Sequence, residues 1–138
     1  MADTLTETER SQRMALIHGK DTGPELAVRK MIYGMGYRYR LHDKRIPGKP
    51  DLVFVGRKKA IFVHGCFWHR HPDITCKLAR MPKSRLDFWG PKLERNRQRD
   101  EQVARELAEQ GWQALTIWEC QLTAMPSVAE TVRSFLDR

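Results

Sequence analysis

The chain has 138 residues, a length typical of one domain built around a single core. Its 41% hydrophobic and 30% charged residues exclude a disordered protein, and no apolar run approaches the roughly 20 residues needed to cross a bilayer. Lys and Arg number 25 against 17 Asp and Glu, and this net charge of +8 favours a polyanionic partner, most simply nucleic acid. A charge kept only for solubility is the alternative interpretation.

The N-terminus and the cysteines indicate the cellular compartment. The first ten residues are polar and acidic, unlike a signal peptide, so we expect a flexible arm on a cytoplasmic protein with no membrane partner. Three cysteines, an odd number, argue against a disulfide framework. We interpret them as buried thiols or metal ligands.

The predicted elements begin with a helix and a strand. Thr22 is a good N-cap, Pro24 suits a first helical turn, and Glu25 stands where a capping-box partner would. Residues 37–41 then alternate apolar and basic side chains, which predicts a half-buried strand.

The middle of the chain predicts a hairpin followed by a long loop. Two apolar stretches, residues 51–55 and 60–64, are typical of strands, and residues 56–59 would form the turn between them. Residues 65–83 lack periodicity and contain Cys and His. A loop of that length in a small domain usually serves a function or binds a metal.

The second half predicts a long helix, a strand and a last helix. The long helix covers residues 91–110, and its apolar stripe also carries Asn96 and Asp100. Asp100 should have a partner, because burying an unpaired charge is costly. A strand over residues 112–117 and a helix capped by Ser127 follow. We therefore predict one α/β domain over residues 1–138, with a sheet flanked by helices.

Three carboxylates are candidates for binding magnesium. Asp51 opens an apolar strand, Glu25 lies in a first helical turn, and Asp100 faces the core from the long helix. Carboxylates brought together can hold Mg²⁺, which lowers the pKa of an attacking water and clamps a phosphate during displacement. Each residue also has a structural alternative. Glu25 could complete a capping box, Asp51 could close a turn, and Asp100 could pair with a neighbouring Arg.

Thiols and imidazoles cluster in the long loop and recur after the last strand. Two thiolates and an imidazole from one loop, with a distant thiolate, would complete a tetrahedral zinc site and stabilise a loop poor in aliphatic residues. Spacing alone does not decide between the two loop histidines, and inert buried thiols are the alternative. The residues concerned are Cys66, Cys76 and Cys120, with His69 or His71 and the nearby His64.

Two aromatic pairs are candidates for stacking: Phe67-Trp68 near the start of the loop and Phe88-Trp89 after its end. Adjacent bulky rings cannot share one direction, so an exposed member of each pair could stack on bases. Core packing is the alternative, and we favour it for Phe88. The basic runs at residues 77–85 and 95–99 are candidate phosphate contacts or an ordinary solvated face.

Together these residues resemble the very short patch repair (Vsr) endonucleases over residues 10–122. The most specific motifs are Pro47-Gly48-Lys49-Pro50-Asp51, Val63-His64-Gly65-Cys66-Phe67-Trp68-His69, Phe88-Trp89 and Trp118-Glu119-Cys120. The resemblance implies a restriction-endonuclease-like αβα core with a central mixed sheet and a structural zinc site. It also implies a magnesium-dependent, strand-specific nicking endonuclease. Such an enzyme acts on T:G mismatches in duplex DNA and initiates very short patch repair of deaminated 5-methylcytosine.

The resemblance also implies individual roles. Asp51 and the main-chain carbonyl of Val63 would bind Mg²⁺, while His64 and Glu25 would orient water on it. His69, held by Asp100, would handle the proton of the attacking water or of a nearby phosphate oxygen. The remaining roles would fall to Cys66, His71, Cys76 and Cys120 for zinc, and to Met14, Phe67, Trp68, Trp89, Lys83 and Arg85 for DNA.

Two departures from the family pattern bear on the metal sites. Val63 stands where Thr is common, but a backbone carbonyl does not depend on its side chain. Arg70 and residues 72–75 replace a shorter His-rich link, which makes Asp73 an alternative to Cys76 as a zinc ligand. We favour Cys76, because a thiolate matches zinc better beside two other thiolates.

The implied partner is double-stranded DNA with a T:G mismatch, bound by a nucleoid-associated monomer. Participation of mismatch-repair proteins is left open. Two other functions are also open: a restriction-type endonuclease on matched DNA, and a zinc-stabilised DNA-binding module without cleavage. The set Asp51, His69 and Asp100 argues against binding alone, which needs no such acids, and the aromatic pairs favour distorted DNA over a matched site.

Overall fold

A computed structural model describes residues 22–67, 69, 71–72, 76–79 and 86–138. Three α-helices and four strands lie in these ranges: α1 (Gly23–Gly34), β1 (Arg40–Leu41), β2 (Leu52–Phe54), β3 (Lys59–His64), α2 (Leu86–Glu109), β4 (Gln113–Trp118) and α3 (Met125–Asp137). Short 3-10 helices cover Val55–Arg57, Lys77–Ala79 and Glu119–Ala124.

The four strands form one mixed sheet in the order β1-β2-β3-β4. The first two pairings are antiparallel, and β3 runs parallel to β4. A parallel pair needs a crossover connection, and α2 lies in the chain between β3 and β4. The predicted α/β class is therefore confirmed. So is the predicted hairpin, in which Val55–Arg57 and the left-handed Lys58 (φ 53°) turn the chain from β2 into β3.

The sheet is buried on both faces. Val53 points to the face opposite Leu52, because side chains alternate along a strand, yet Val53 is only 1% exposed. The main core lies on the Leu52 face, between the sheet and the helices α1 and α3. It comprises Val28 and Ile32 of α1, Leu52, Phe54, Ile61 and Ile117 of the strands, and Val128, Val132, Phe135 and Leu136 of α3.

Several local signals predicted their elements correctly, whereas three boundaries were wrong. The Thr22 hydroxyl accepts a hydrogen bond from the Glu25 backbone N–H at 3.4 Å and starts α1 as expected. However, α2 begins at Leu86 and encloses Pro91, which was predicted to start it. Proline lacks a backbone N–H and so removes one helical hydrogen bond, but packing of a long helix on a sheet outweighs that loss.

The other two corrections concern the ends of the sheet and of the chain. Only Arg40–Leu41 of the predicted strand at residues 37–41 joins the sheet, since the preceding residues pack on α1, where the Tyr39 hydroxyl donates to the Arg29 carbonyl at 3.0 Å. Ser127 does not cap the last helix. The 3-10 helix Glu119–Ala124 leads directly into α3, whose N-cap is Ala124.

The loop before Asp51 is held against α2 by a close approach at Gly48. This glycine has φ +79°, and a Cβ atom placed on it would lie 2.5 Å from Val103 Cγ1 of α2 and 3.3 Å from Phe62 Cε1 of β3. Only glycine combines that backbone conformation with that contact. The motif around Asp51 is thereby fixed between the sheet and α2.

Gly48→Ala is expected to destabilise the protein by roughly 1–3 kcal/mol, because the new methyl group adds overpacking to a strained left-handed residue. Denaturant unfolding would measure the change. Gly56→Ala is a matched control, since a Cβ atom there meets nothing within 4 Å. Equal losses in both variants would show that the contact with Val103 is unimportant.

Candidate active site and metal centre

Asp51 and Glu25 bring two carboxylates together beside the sheet. Asp51 immediately precedes β2, and its Oδ2 accepts a hydrogen bond from the Val63 backbone N–H at 2.6 Å. Glu25, in the first turn of α1, is only 4% exposed, and its Oε2 accepts from the Arg29 guanidinium at 2.6 Å. The two carboxyl groups also interact directly, so the side chain of Glu25 belongs to the Asp51 site.

His42 is a third member of this group, and no sequence motif predicted it. Its Nε2 lies 3.1 Å from Glu25 Oε2 and 3.6 Å from Asp51 Oδ1. The antiparallel register pairs Leu41 with Leu52, which brings the next residue, His42, opposite Asp51. Only the strand register shows that His42 lies opposite Asp51. A single histidine after a short strand does not by itself indicate a metal or catalytic site.

The protonation of Asp51 reflects its surroundings. Burial first, and then the hydrogen bond and negative charge of Glu25, raise the pKa of Asp51 to about 8, although the Val63 N–H opposes the shift. Two carboxylates in one buried place share a proton because their charges repel. A cation in that place would remove the repulsion and release the proton.

His69 and Asp100 form a second group at the end of β3. His69 Nδ1 lies 2.6 Å from Asp100 Oδ2, so the acid on the core-facing side of α2 has a partner. A carboxylate on Nδ1 orients the imidazole and leaves Nε2 to accept or donate a proton. The ring of His69 also stacks on that of His64, with centroids 3.8 Å apart and planes 6° from parallel.

His64 is a neutral member of this group. Burial, followed by the charge of His69, lowers the pKa of His64 to about 3. Its Nδ1 is buried and has no hydrogen-bond partner among the residues that the structure describes. A neutral imidazole with a free buried nitrogen is suited to holding a water molecule rather than to acting as an acid.

The two groups are joined through Val63 of β3. Val63 donates its N–H to Asp51, and His64 is the next residue along β3. The structure thus brings Asp51, His69 and Asp100 to one end of the sheet. Paired buried carboxylates and the open nitrogen of His64 fit a hard divalent cation that keeps part of its water.

The four sulfur and imidazole side chains predicted for zinc form a third group. Ligand atoms of Cys66, His71, Cys76 and Cys120 all lie within 4.8 Å of one another. Cys120 Sγ is 3.6 Å from His71 Nδ1, close to the separation of about 3.5 Å expected for two ligands of one tetrahedral zinc. The geometry therefore groups His71 with the cysteines and His69 with Asp100, while Asp73 lies outside the described residues.

Burial controls the chemistry of these thiols. The pKa of Cys66 is raised to about 12 chiefly by burial, and burial also raises the pKa of Cys120. Without a metal, the thiols of Cys66 and Cys120 therefore keep their protons at neutral pH, and a zinc ion would have to displace those protons. The imidazole of His71 stacks on Trp118 with centroids 4.4 Å apart, which holds the ring in the cluster.

Comparison with known proteins identifies the family. Residues 2–76 match the family model for DNA mismatch endonuclease Vsr, which covers more than half of the chain. The chain belongs to the Vsr family. It is 44% identical to the type II nicking enzyme V.XorIIP of Xanthomonas oryzae over 99% of its own length and 98% of that relative. It is 38% identical to the DNA mismatch endonuclease Vsr of Escherichia coli over 88% of its length and 76% of that relative.

Membership of the Vsr family establishes the reaction class. The nicking enzyme V.NmeAIP of Neisseria meningitidis is a further relative, 43% identical over 88% of this chain and 85% of its own length. This Vsr-family protein is therefore a DNA endonuclease, a hydrolase of phosphodiester bonds. Within the described ranges, none of its helices has the length and apolarity needed to span a membrane.

The aromatic residues predicted to stack on DNA are partly described. Phe67 and Trp89 are both half-buried, and their rings meet edge to face with centroids 5.4 Å apart. This contact joins the loop after β3 to the first turns of α2 in the Vsr-family chain. The other predicted DNA contacts lie outside the described residues: Met14, Trp68, Lys83 and Arg85.

Proposed function

We propose that this Vsr-family protein is a magnesium-dependent, strand-specific nicking endonuclease that acts on T:G mismatches in duplex DNA and initiates very short patch repair. The observation that carries the proposal is the convergence of the Asp51–Glu25 carboxylates and the His69–Asp100 pair at one end of the sheet. A relative that is named a DNA mismatch endonuclease supports the choice of substrate. A sheet buried on both faces is compatible with a restriction-endonuclease-like core.

Asp51 and the main-chain carbonyl of Val63 would hold the Mg²⁺. A bound magnesium ion supplies positive charge to the scissile phosphate and lowers the pKa of water. The protein's own part is to aim the Asp51 carboxylate by the 2.6 Å bond from the Val63 N–H, which also favours the ionised form of Asp51. Glu25 and the neutral His64 would orient water beside it.

His69 would handle the proton. Asp100 accepts from Nδ1 and so leaves Nε2 of the neutral ring free to take a proton from the attacking water. The protonated ring could then donate its Nε2–H to a nearby phosphate oxygen. The stacked His64 ring limits rotation of His69. Position and proton transfer are thus supplied by three residues: His64 on β3, His69 on the loop that follows it, and Asp100 on α2.

A structural zinc ion would hold the loop that carries His69. Cys66, His71 and Cys76 come from that loop, and Cys120 follows β4, so four ligands would tie the loop to the sheet. Zinc–thiolate bonds replace the aliphatic core that this loop lacks. The role is support for the catalytic residues rather than chemistry on DNA.

Selection of a mismatch would come from the aromatic residues. Phe67, Trp68 and Trp89 would enter the base stack from the major groove, with Met14 on the minor-groove side. A T:G wobble pair stacks poorly, so separating it from its neighbours costs less than separating a matched pair. The preformed Phe67–Trp89 contact supports this role, because a rigid wedge loses little freedom when it binds.

A basic depression beside the site is suited to the DNA backbone. It encloses about 680 Å³ and is lined by Lys44, Lys49 and Arg99 among others. Arg45 in its rim is paired with Asp43, whereas the other three cations have no ion pair within the described part of the chain. Lys49 is two residues from Asp51, and Arg99 precedes Asp100. Phosphates flanking the cut would therefore meet unpaired positive charge.

Reversal of two of these charges, in the variant Lys44→Glu/Arg99→Glu, should weaken DNA binding and flatten its salt dependence. Each phosphate contact contributes about 0.9 to the slope of log affinity against log salt concentration, so the slope should fall by roughly two. Fluorescence anisotropy with a duplex at several salt concentrations measures this. Arg133→Glu on α3 is the matched control, because Arg133 is already paired with Glu130 at 2.6 Å. An identical slope in all three proteins would exclude the depression from the DNA interface.

The proposed function is tested with paired oligonucleotide duplexes in the presence of Mg²⁺. One duplex carries a single T:G mismatch in varied flanking sequences, and its controls carry T:A or C:G at the same place. We expect one cut, in the strand with the mismatched T, and no cut in the controls. Cleavage of matched duplexes would instead support a restriction-type enzyme, and binding without cleavage would support a DNA-binding module.

A further inference from the structure

We propose that His42 is a direct ligand of the divalent cation at the Asp51 site, which makes that site a mixed carboxylate and imidazole centre. The inference rests on the proposed function only in assuming that Asp51 binds a cation. It adds a nitrogen ligand to a site otherwise built from oxygen. His42 and Asp51 would then bind the same ion, with Glu25 beside them.

The distances around His42 favour ligation. In an octahedral site with bonds of about 2.1 Å, adjacent ligand atoms lie about 3 Å apart. His42 Nε2 is 3.1 Å from Glu25 Oε2 and 3.6 Å from Asp51 Oδ1, and one ligand atom from each of the three residues lies within 4.8 Å of the others. The imidazole nitrogen therefore faces both carboxylates rather than packing beside one of them.

The backbone at His42 supports a functional role. His42 has φ 47°, and it is one of three non-glycine residues with positive φ in the described part of the chain. A histidine in the left-handed region is disfavoured, and such strain persists where the surrounding structure needs a particular side-chain direction. Here the conformation follows β1 directly and turns the ring toward the carboxylates.

A purely structural role explains His42 less well. Glu25 already receives a charged hydrogen bond from Arg29 at 2.6 Å on the same Oε2 atom that His42 contacts. A second donor on that oxygen adds little to the stability of α1. An imidazole nitrogen beside two carboxylate oxygens, by contrast, is a mixed donor set that can hold a first-row transition-metal ion, and such a set binds Co²⁺ more tightly than Mn²⁺.

The test uses the zinc-loaded full chain with Mn²⁺ as the probe and electron spin echo envelope modulation as the readout. We expect modulation from a directly bound ¹⁴N nucleus in the wild type and its loss in His42→Asn. Asn tolerates the left-handed conformation and can still bond Glu25, so this variant should fold, and thermal unfolding checks it. The Kd for Mn²⁺ should rise by about tenfold or more, the change expected when roughly 1.4 kcal/mol of ligand binding is lost.

His64→Gln and His69→Gln are the matched controls, because each removes a neighbouring imidazole and should leave the nitrogen signal intact. Nitrogen modulation that persists in His42→Asn, or that is absent from a wild type with Mn²⁺ bound, would overturn the inference. These spectra need no DNA. Failure to cut a T:G duplex would therefore count against the proposed function only. The assignment of His42 would still be decided by the Mn²⁺ spectra.

Discussion

Asp51→Asn should abolish nicking while leaving binding to a mismatched duplex largely intact. Asn keeps an oxygen for the Val63 N–H but loses the charge that would hold the cation. Metal ions contribute several kcal/mol to the stabilisation of a transition state, and each 1.4 kcal/mol is about tenfold in rate, so a loss on the order of 10³-fold is expected. Single-turnover cleavage and anisotropy with the same T:G duplex measure the two properties.

The same variant should become more stable than the wild type as the pH rises, when no divalent cation is present. The pKa of Asp51 is raised in the folded protein from its ordinary value of 3.8 to about 8. The folded state therefore holds a proton that the unfolded chain gives up, and stability from this group is present below pH 4 and is lost as the pH rises through 8. Asn does not titrate, so only the wild type should lose that stability.

Thermal unfolding of both proteins in a chelating buffer, between pH 6.5 and 9, measures the difference. Above pH 6.5 the protonation of His64 does not interfere, because its pKa is lowered in the fold and its unfolded value lies near 6.5. Addition of Mg²⁺ should stabilise the wild type and not Asp51→Asn. An equal loss of binding and cleavage, with no pH-dependent difference in stability, would make Asp51 a structural residue.

Cys120→Ala should remove bound zinc and destabilise the fold. Cys120 is the one member of the Cys/His group that comes from outside the loop, so its loss would detach that loop from the end of β4. A ligand present at 1,000 times its Kd stabilises a protein by about 4 kcal/mol, and loss of the metal should cost stability of that order. Zinc content by elemental analysis and denaturant unfolding measure the effect, and a chelator should lower the stability of the wild type alone.

Thr123→Ala is the matched control for this prediction. The Thr123 hydroxyl donates to the Cys120 carbonyl at 3.2 Å, so the variant disturbs the same 3-10 helix and leaves the sulfur in place. It should retain a full equivalent of zinc. Cys120→Ala with unchanged zinc and unchanged unfolding would remove that residue from the ligand set. Zinc affinity should also fall at lower pH, because burial keeps the thiols protonated and binding must release their protons.

Local sequence was sufficient where short-range physics decides the structure. Thr22 and Pro24 begin α1 because a cap and a first-turn proline act within a few residues. The start of α2 was misplaced for the opposite reason. Proline at residue 91 is a strong local signal, and the helix nevertheless continues through it because its apolar side chains Leu93 and Leu107 are buried.

In the candidate site too, some features follow from the sequence and others only from the tertiary structure. Sequence alone determined the chemical types, since a carboxylate opening a buried strand and thiols in an aliphatic-poor loop are unusual enough to indicate metal binding. It also required that Asp100 have a partner, because an unpaired buried charge is costly. The resemblance to the Vsr endonucleases also implied that His69 meets Asp100 and that His71 joins the cysteines, and the structure brings both groups together. Only the tertiary structure decided that His42 lies against Glu25 and Asp51, because this contact depends on strand register rather than on sequence spacing.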